Sequence, residues 1–169
     1  MRLLILALAA LTLTACATAQ RYDAAGDVHA LLVSIRDNDK AAFEAHVDRP
    51  ALKRQIESRM MAETRKSGAN DGLAALGALL APTLAELAGE ALIQPTVFRS
   101  VAAYYGYDAS KPLPGPMVIG GQLKTVGEGQ VCVPRKKDGP CLLTFTQEQG
   151  TWRLSGFEGD LSMLQTKAR

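Results

Sequence analysis

Apolar and polar positions alternate in three different ways along this chain. Leu3 to Leu13 is an almost unbroken apolar run. After a short polar stretch, Val28, Leu31, Leu32 and Ile35 recur at i, i+3, i+4 and i+7, the spacing of one buried helix face. Asp27 is its candidate N-cap. Arg36-Asp37-Asn38-Asp39 breaks the pattern. Asp39 can cap a second short helix that buries Ala42, Phe43 and Val47. Asp48 can cap a third, with Pro50 in its first turn, where a missing N–H costs little. Leu52, Ile56 and Met60 recur every four residues along that helix. Leu73 to Ile93 is the next strongly apolar stretch, interrupted by Pro82. Thr83, Glu86 and Glu90 share one face there, while Leu84, Leu87, Ala88, Ala91 and Leu92 share another, which predicts two kinked or consecutive helices rather than a membrane span. Pro95 opens a further helix carrying Val97, Phe98, Val101 and Tyr104 or Tyr105, and Gly106 is a natural stop.

Residues 107–121 hold three prolines and three glycines, which predicts a loop. Beyond it the period falls from 3.6 to 2. Residues 123–126, 131–133, 142–146 and 152–157 read as strands, with Gln149-Gly150 turning the last hairpin. Helices followed by consecutive strands predict an α+β fold, with about five N-terminal helices packed on one face of a C-terminal antiparallel sheet of three to four strands. The expected organisation is a signal peptide over 1–15, a tether over 16–26 and one α+β domain over 27–169. Within that domain the helical part is 27–106, the loop 107–121 and the sheet part 122–158.

Composition sharpens the compartment more than the activity. The 169 residues are 47% hydrophobic and 21% charged, which excludes a disordered chain. Nineteen Lys plus Arg against seventeen Asp plus Glu leave +2, too little to predict a nucleic-acid partner. Met1-Arg2, the short apolar run and the small residues after it have the layout of a secretory signal. Leu13-Thr14-Ala15-Cys16 resembles the bacterial lipobox, which implies a lipidated Cys16 as first residue of the mature chain. Acyl chains bury about 0.8 kcal/mol per CH₂, and two or more hold a protein stably at a membrane. Ala17 in place of an Asp favours, by the same resemblance, the outer membrane on its periplasmic side. Cleavage after Ala17-Thr18-Ala19 is the rival reading, and it releases a soluble periplasmic protein. Of the three cysteines, Cys132 and Cys141 then remain, flanking a turn-forming Asp138-Gly139. In an oxidising compartment they are expected to form a disulfide across a hairpin, with two buried thiols as the alternative.

Ile35, Asp39, Phe43, Val47-Asp48, Pro50 and Leu52-Lys53 resemble the start of the bacterial domain-of-unknown-function family 2939. The apolar helix before Gln94-Pro95 and the strand around Gly150-Thr151-Trp152-Arg153-Leu154 are similar too, so the likeness spans most of 27–157. Arg49 stands where that family usually has an aromatic residue. The family is uncharacterised, so the resemblance implies no catalytic residues. More loosely, helices followed by a curved sheet resemble the nuclear-transport-factor-like cone fold, whose members often hold ligands between sheet and helices; that is an analogy of fold.

The residue types that carry chemistry are sparse. His29 and His46 are the only histidines, without a partnering metal-ligand pattern. Asp37-Asn38-Asp39 starts like a calcium loop, but Ala41 and Ala42 stand where a ligand oxygen and a glycine belong. Gly127-Glu128-Gly129 starts like a dinucleotide loop, but Cys132 stands where a third glycine belongs and no helix is expected to follow. Glu86 and Glu90 are one turn apart and could pair for acid–base work, but a solvated helix face explains them. We therefore expect no catalytic residue, metal or cofactor. Two basic clusters, residues 49–66 and Arg135-Lys136-Lys137, make an envelope protein or anionic lipid the candidate partners, beside the membrane itself through Cys16. The expected function is an envelope lipoprotein with a non-catalytic binding or interaction domain. The alternative is a carrier or sensor of a small apolar ligand, held by Leu73, Leu76, Leu80, Leu84 and Phe98 between sheet and helices. A cavity of several hundred Å³ favours the carrier, and a filled core excludes it.

Overall fold

In the computed structural model the described backbone comprises residues 2–66, 83, 86–87, 89–104, 106–108, 110–136 and 139–158, with side chains described for these except 2–16 and 63–66. The chain runs through α1 (Arg2–Asp37), α2 (Lys40–Ala45), α3 (Arg49–Lys66), α4 (Pro95–Tyr104) and α5 (Pro116–Gln122). It then enters β1 (Lys124–Gly127), β2 (Gln130–Pro134), β3 (Cys141–Glu148) and β4 (Thr151–Phe157). The strands form one antiparallel meander in the order β1-β2-β3-β4, so the fold is α+β as the pattern predicts. Residues 89–92 are also helical. Among the described residues no helix is long and apolar enough to cross a membrane.

Two of the expected caps form. Asp39 accepts from the Ala42 N–H at 3.0 Å and Asp48 from the Ala51 N–H at 2.9 Å, each satisfying an orphan donor at a helix start. The short segment between α2 and α3 pairs with the free edge of the sheet. Asp48 N donates to Leu154 O and Leu154 N to His46 O, both at 2.9 Å. That covers an edge strand that would otherwise be open to a second chain.

The sheet's inner face is built in rows. Val131, Phe145 and Leu154 are cross-strand neighbours, and Val47 bridges Leu154, so four buried side chains cross the sheet in a line. Ala24, Ala25, Val28, Leu31, Phe43, Leu52 and Trp152 complete the core above them. The next row is Val133, Leu143 and Phe157. A bulge between Thr144 and Phe145 shifts the pairing, and that shift is what lets Phe157 face the same side as Leu154. At Gln149-Gly150 the β3–β4 turn has φ of 50° and 84°, the two-residue hairpin with both central residues left-handed.

Two expected boundaries are corrected. Residues 17–26 are not a tether: they continue α1, and Asp27 is not its cap. Ala24 and Ala25 are fully buried. The polar residues that suggested a tether are spent on contacts far along the chain. Gln20 Nε2 donates to Gly127 O at 2.9 Å, and Thr125 Oγ1 donates to Ala17 O at 2.9 Å. Asp23 accepts from the Trp152 indole at 2.8 Å, and Asp27 accepts from the Trp152 backbone N at 2.7 Å. The expected loop over 107–121 contains most of α5, which starts at Pro116 behind Gly115 and packs along α1. A Cβ on Gly120 would lie 2.5 Å from Tyr22 Cδ1, so the glycine is there for close helix approach rather than for turning.

Cys132 and Cys141 are bonded, with Cα atoms 5.6 Å apart. They are not directly opposite: Cys132 pairs with Thr144 and Cys141 with Pro134, around a bulge at Val133/Pro134. Most of the helix expected over 73–93, Asp138 in the hairpin tip and the tail from 159 lie outside the described residues.

Candidate functional site

Between the sheet and the helices lies a cleft of about 690 Å³. Its floor is the row Val133, Leu143 and Phe157, with Leu142 beside it. Leu32 and Ile35 of α1 form one wall, and Leu52 and Ile56 of α3 a second. Leu92 and Ile93, then Val97, Phe98 and Val101 of α4, form the third. These are the positions the helical spacing marks as buried faces, yet Leu32, Ile35, Ile56 and Phe98 are only partly buried. Side chains of these faces border open space instead of meeting in a filled core. The volume falls in the range of small-molecule sites, roughly 300–1,000 Å³.

Of the residues expected to line a ligand pocket, Phe98 lies on the cleft wall, edge-on to Phe43 with ring centroids 5.3 Å apart. Leu73, Leu76, Leu80 and Leu84 lie outside the described residues. Most of the described lining comes from α1, α3, α4 and the sheet. The i, i+3, i+4, i+7 stripe of α1 was the available signal, but a stripe reports burial and cannot say whether the buried space is filled.

Polar groups are few and sit at the rim. Among the described residues, Arg36 and Arg59 are the charged side chains of the lining. Arg59 Nη2 donates to Phe157 O and to Glu158 at 2.9 Å, joining α3 to the end of β4. Gln55 does the same work, accepting from Phe157 N at 2.9 Å and donating to Glu158 at 2.8 Å. Arg36 pairs with its neighbour Asp37 through Nε (2.7 Å) and Nη2 (2.9 Å), in a half-exposed position. Asp37 raises the Arg36 pKa and is itself lowered by the guanidinium. Tyr107 lines the same cleft, and its hydroxyl is buried with no hydrogen-bond partner among the described residues. Leaving such a group unpaired costs about 1–3 kcal/mol.

The other candidate chemistry is absorbed by structure. Glu86 and Glu90 both bind Lys53 Nζ, at 2.5 and 3.1 Å, and Glu86 first and Glu90 next raise the lysine's pKa. Arg49 bonds Glu44 and donates to Ile93 O at 2.9 Å, which fastens α3 to the segment entering α4. Its hydrogen bond holds the Glu44 carboxyl below the usual range. Much of the first basic cluster is therefore occupied internally. His46 engages Ala42 O through Nδ1 at 2.8 Å, and its Nε2 lies 3.5 Å from Asp27, not Asp48. His29 Nδ1 lies 3.0 Å from Pro114 O. Among the described residues no group of three or more His, Cys, Asp or Glu is arranged to hold a metal.

A second, open groove of about 760 Å³ lies at the start of the domain. Among the described residues, its charged lining is cationic: Arg21, Lys124, Arg135 and Lys136. Ala17, adjacent in sequence to Cys16, lines it as well.

The chain matches the protein family described as "Protein of unknown function (DUF2939)" over residues 9–101. That span includes the helical walls of the cleft up to Val101 and stops short of the sheet. No curated protein and no solved structure matches the chain.

Proposed function

The chain belongs to the DUF2939 family of unknown function; we propose that it is an envelope lipoprotein whose α+β domain binds a small apolar ligand without turning it over. The cleft between sheet and helices carries this reading. A dry core of Leu, Ile, Val and Phe at native density has few voids larger than a water. Here those residue types from three helical segments and the sheet surround about 690 Å³. The glutamate pair shares Lys53, with Arg49 also near Glu90, and each histidine has an internal contact. These contacts support a holding role over catalysis.

Lipidation of Cys16 rests on the Leu13–Cys16 lipobox likeness, and it sets the domain at the outer membrane facing the periplasm. A soluble periplasmic protein follows instead if cleavage occurs after Ala19. The cationic groove beside Ala17 favours the anchored form, since anionic headgroups would meet Arg21, Lys124, Arg135 and Lys136 there.

Titration of the full chain with the neutral fluorophore N-phenyl-1-naphthylamine tests the ligand reading. Saturable single-site enhancement is expected, weakened at least about tenfold by Val101→Trp, which places a bulky ring across the cleft. Denaturation of the variant checks that it folds. A cleft closed by the chain's own side chains gives no saturable signal, and that result overturns the proposal.

A further inference from the structure

The groove at the start of the domain and the helix beside it form one face. Arg21, Lys124, Arg135 and Lys136 line the groove, with no carboxylate among the described lining residues. Lys53 and Arg49 are paired with glutamates, but no described carboxylate pairs with any of these four. Arg21 reaches the Leu123 carbonyl and the Thr18 hydroxyl, and Arg135 the Glu158 carbonyl, each at 3.4 Å. Contacts that long to neutral oxygens leave both charges unbalanced. Asp23, on the same helix as Arg21, is engaged with Trp152 and Gln147, and the Glu158 carboxylate with Arg59 and Gln55. The whole chain carries only +2, so these cations are concentrated on one side of it.

Helix α5 ends in the same groove, which Gly121 and Gln122 line. Met117 and Val118 precede them by four positions each, so they continue those two rows one turn along the helix. Both are uncovered, at 78% and 54% exposure. Tyr22, next to Arg21 and against Gly120, is also exposed. Exposed apolar side chains beside cations have the composition of a bilayer-interface surface. The apolar area enters the headgroup boundary while the cations meet anionic lipid.

The place of Cys16 points to the same occupant. Ala17 lines the groove, and its carbonyl accepts from Thr125 at 2.9 Å. Three residues on, Gln20 donates to Gly127 O at 2.9 Å. Adjacent Cα atoms are about 3.8 Å apart. Acyl chains on Cys16 would therefore leave from the edge of this face, with no free segment between anchor and domain.

We propose that this face, the groove cations together with Met117 and Val118, seats the domain on an anionic phospholipid bilayer in one fixed orientation. The proposal rests on the envelope reading above and adds which surface meets the membrane. It is independent of the apolar cleft. Lys40 supplies an internal control. Sixteen residues of α1 separate Arg21 from Asp37, about 24 Å along the axis, and Lys40 lies beyond that end.

The experiment mixes the full chain with vesicles of phosphatidylcholine alone, or of phosphatidylcholine and phosphatidylglycerol in roughly equal parts. Acetylation of lysines and peroxide oxidation of methionines are mapped by peptide mass spectrometry. Lys124, Lys136 and Met117 are expected to react at least about threefold more slowly with the anionic vesicles than with the neutral ones, and Lys40 equally with both. Salt at about 0.5 M is expected to remove most of the difference. Arg21→Gln with Arg135→Gln should do the same, with urea unfolding followed by Trp152 fluorescence checking the fold. Equal reactivity of Lys124 and Lys136 on both vesicles overturns the proposal. Protection that survives both the salt and the substitutions overturns its electrostatic basis. Slowing of Lys40 to the same degree overturns the fixed orientation, and an unprotected Met117 removes α5 from the face. Equal protection of all three residues by soluble dextran sulfate overturns the bilayer as occupant. A chain that sediments with anionic but not neutral vesicles contradicts the acyl anchor while this proposal stands.

Discussion

Replacing Asp23 by Ala tests whether the residues just after Cys16 are part of the folded domain. Asp23 Oδ2 accepts from Trp152 Nε1 at 2.8 Å and from Gln147 Nε2 at 3.2 Å. Trp152 is 1% exposed, so an orphaned indole N–H cannot turn to water. The lost bond is charge-assisted, and the group left behind is buried. Together they set a cost of about 2 kcal/mol, within the 1–3 kcal/mol range for unsatisfied buried donors. With a urea slope of roughly 2 kcal/mol/M, the midpoint should fall by about 1 M. Trp152 is the only tryptophan, so its fluorescence reports unfolding of this contact directly. A double-mutant cycle with Trp152→Phe, followed by circular dichroism, isolates the bond. Once the indole N–H is gone, Asp23→Ala should cost less than about 0.5 kcal/mol. A change below 0.5 kcal/mol on the unaltered background, or equal losses on both, would refute the docking of residues 17–26 through this pair.

Three further perturbations address separate parts of the fold. Opening Cys132–Cys141, by reduction or by Cys132→Ala with Cys141→Ala, should lower stability by roughly 2–3 kcal/mol from loop closure over a separation of nine residues, read from denaturant midpoints. Gly120→Ala drives a Cβ to 2.5–2.8 Å from the Tyr22 ring and should cost about 1–3 kcal/mol; Tyr22→Ala should recover part of it, and full tolerance would show that α1 and α5 do not approach this closely. The Glu44 carboxyl titrates below its usual value of 4.5 because Arg49 bonds it. As pH falls the unfolded chain takes up that proton first. The stabilisation is therefore complete above 4.5 and lost as pH falls through the lower folded value. Urea midpoints from pH 7 to pH 3 should thus fall less steeply for Glu44→Gln than for the unaltered chain.

The order of helices and strands was legible because period 3.6 and period 2 are strong signals, and Asp39, Asp48 and Gln149-Gly150 mark their boundaries by local chemistry. Residues 17–26 were not, because Gln20, Asp23 and Asp27 look solvent-seeking when their partners, Gly127 and Trp152, lie more than a hundred positions away. Helix α5 was hidden by Gly120 and Gly121, which read as turn residues when one of them serves close packing against Tyr22. The site was legible only in part. Phe98 belongs to a visible stripe, and so do Leu32, Ile35 and Ile56, but stripes say that a face is covered and not by what. Tyr107 could not be singled out at all, since its significance lies in a hydroxyl that is buried and unpaired, and only three-dimensional placement shows either property.

The ligand site can be mapped directly by photolabelling the full chain with a neutral diazirine-bearing alkane and locating adducts by peptide mass spectrometry. If the cleft holds apolar ligands, adducts concentrate on Leu142 and Leu143 of the floor and on Val97 and Val101 of the wall, and excess unlabelled dodecane competes them away. Labelling confined to exposed Met117 and Val118, with the cleft residues unmarked or unaffected by the competitor, would contradict a ligand site between sheet and helices.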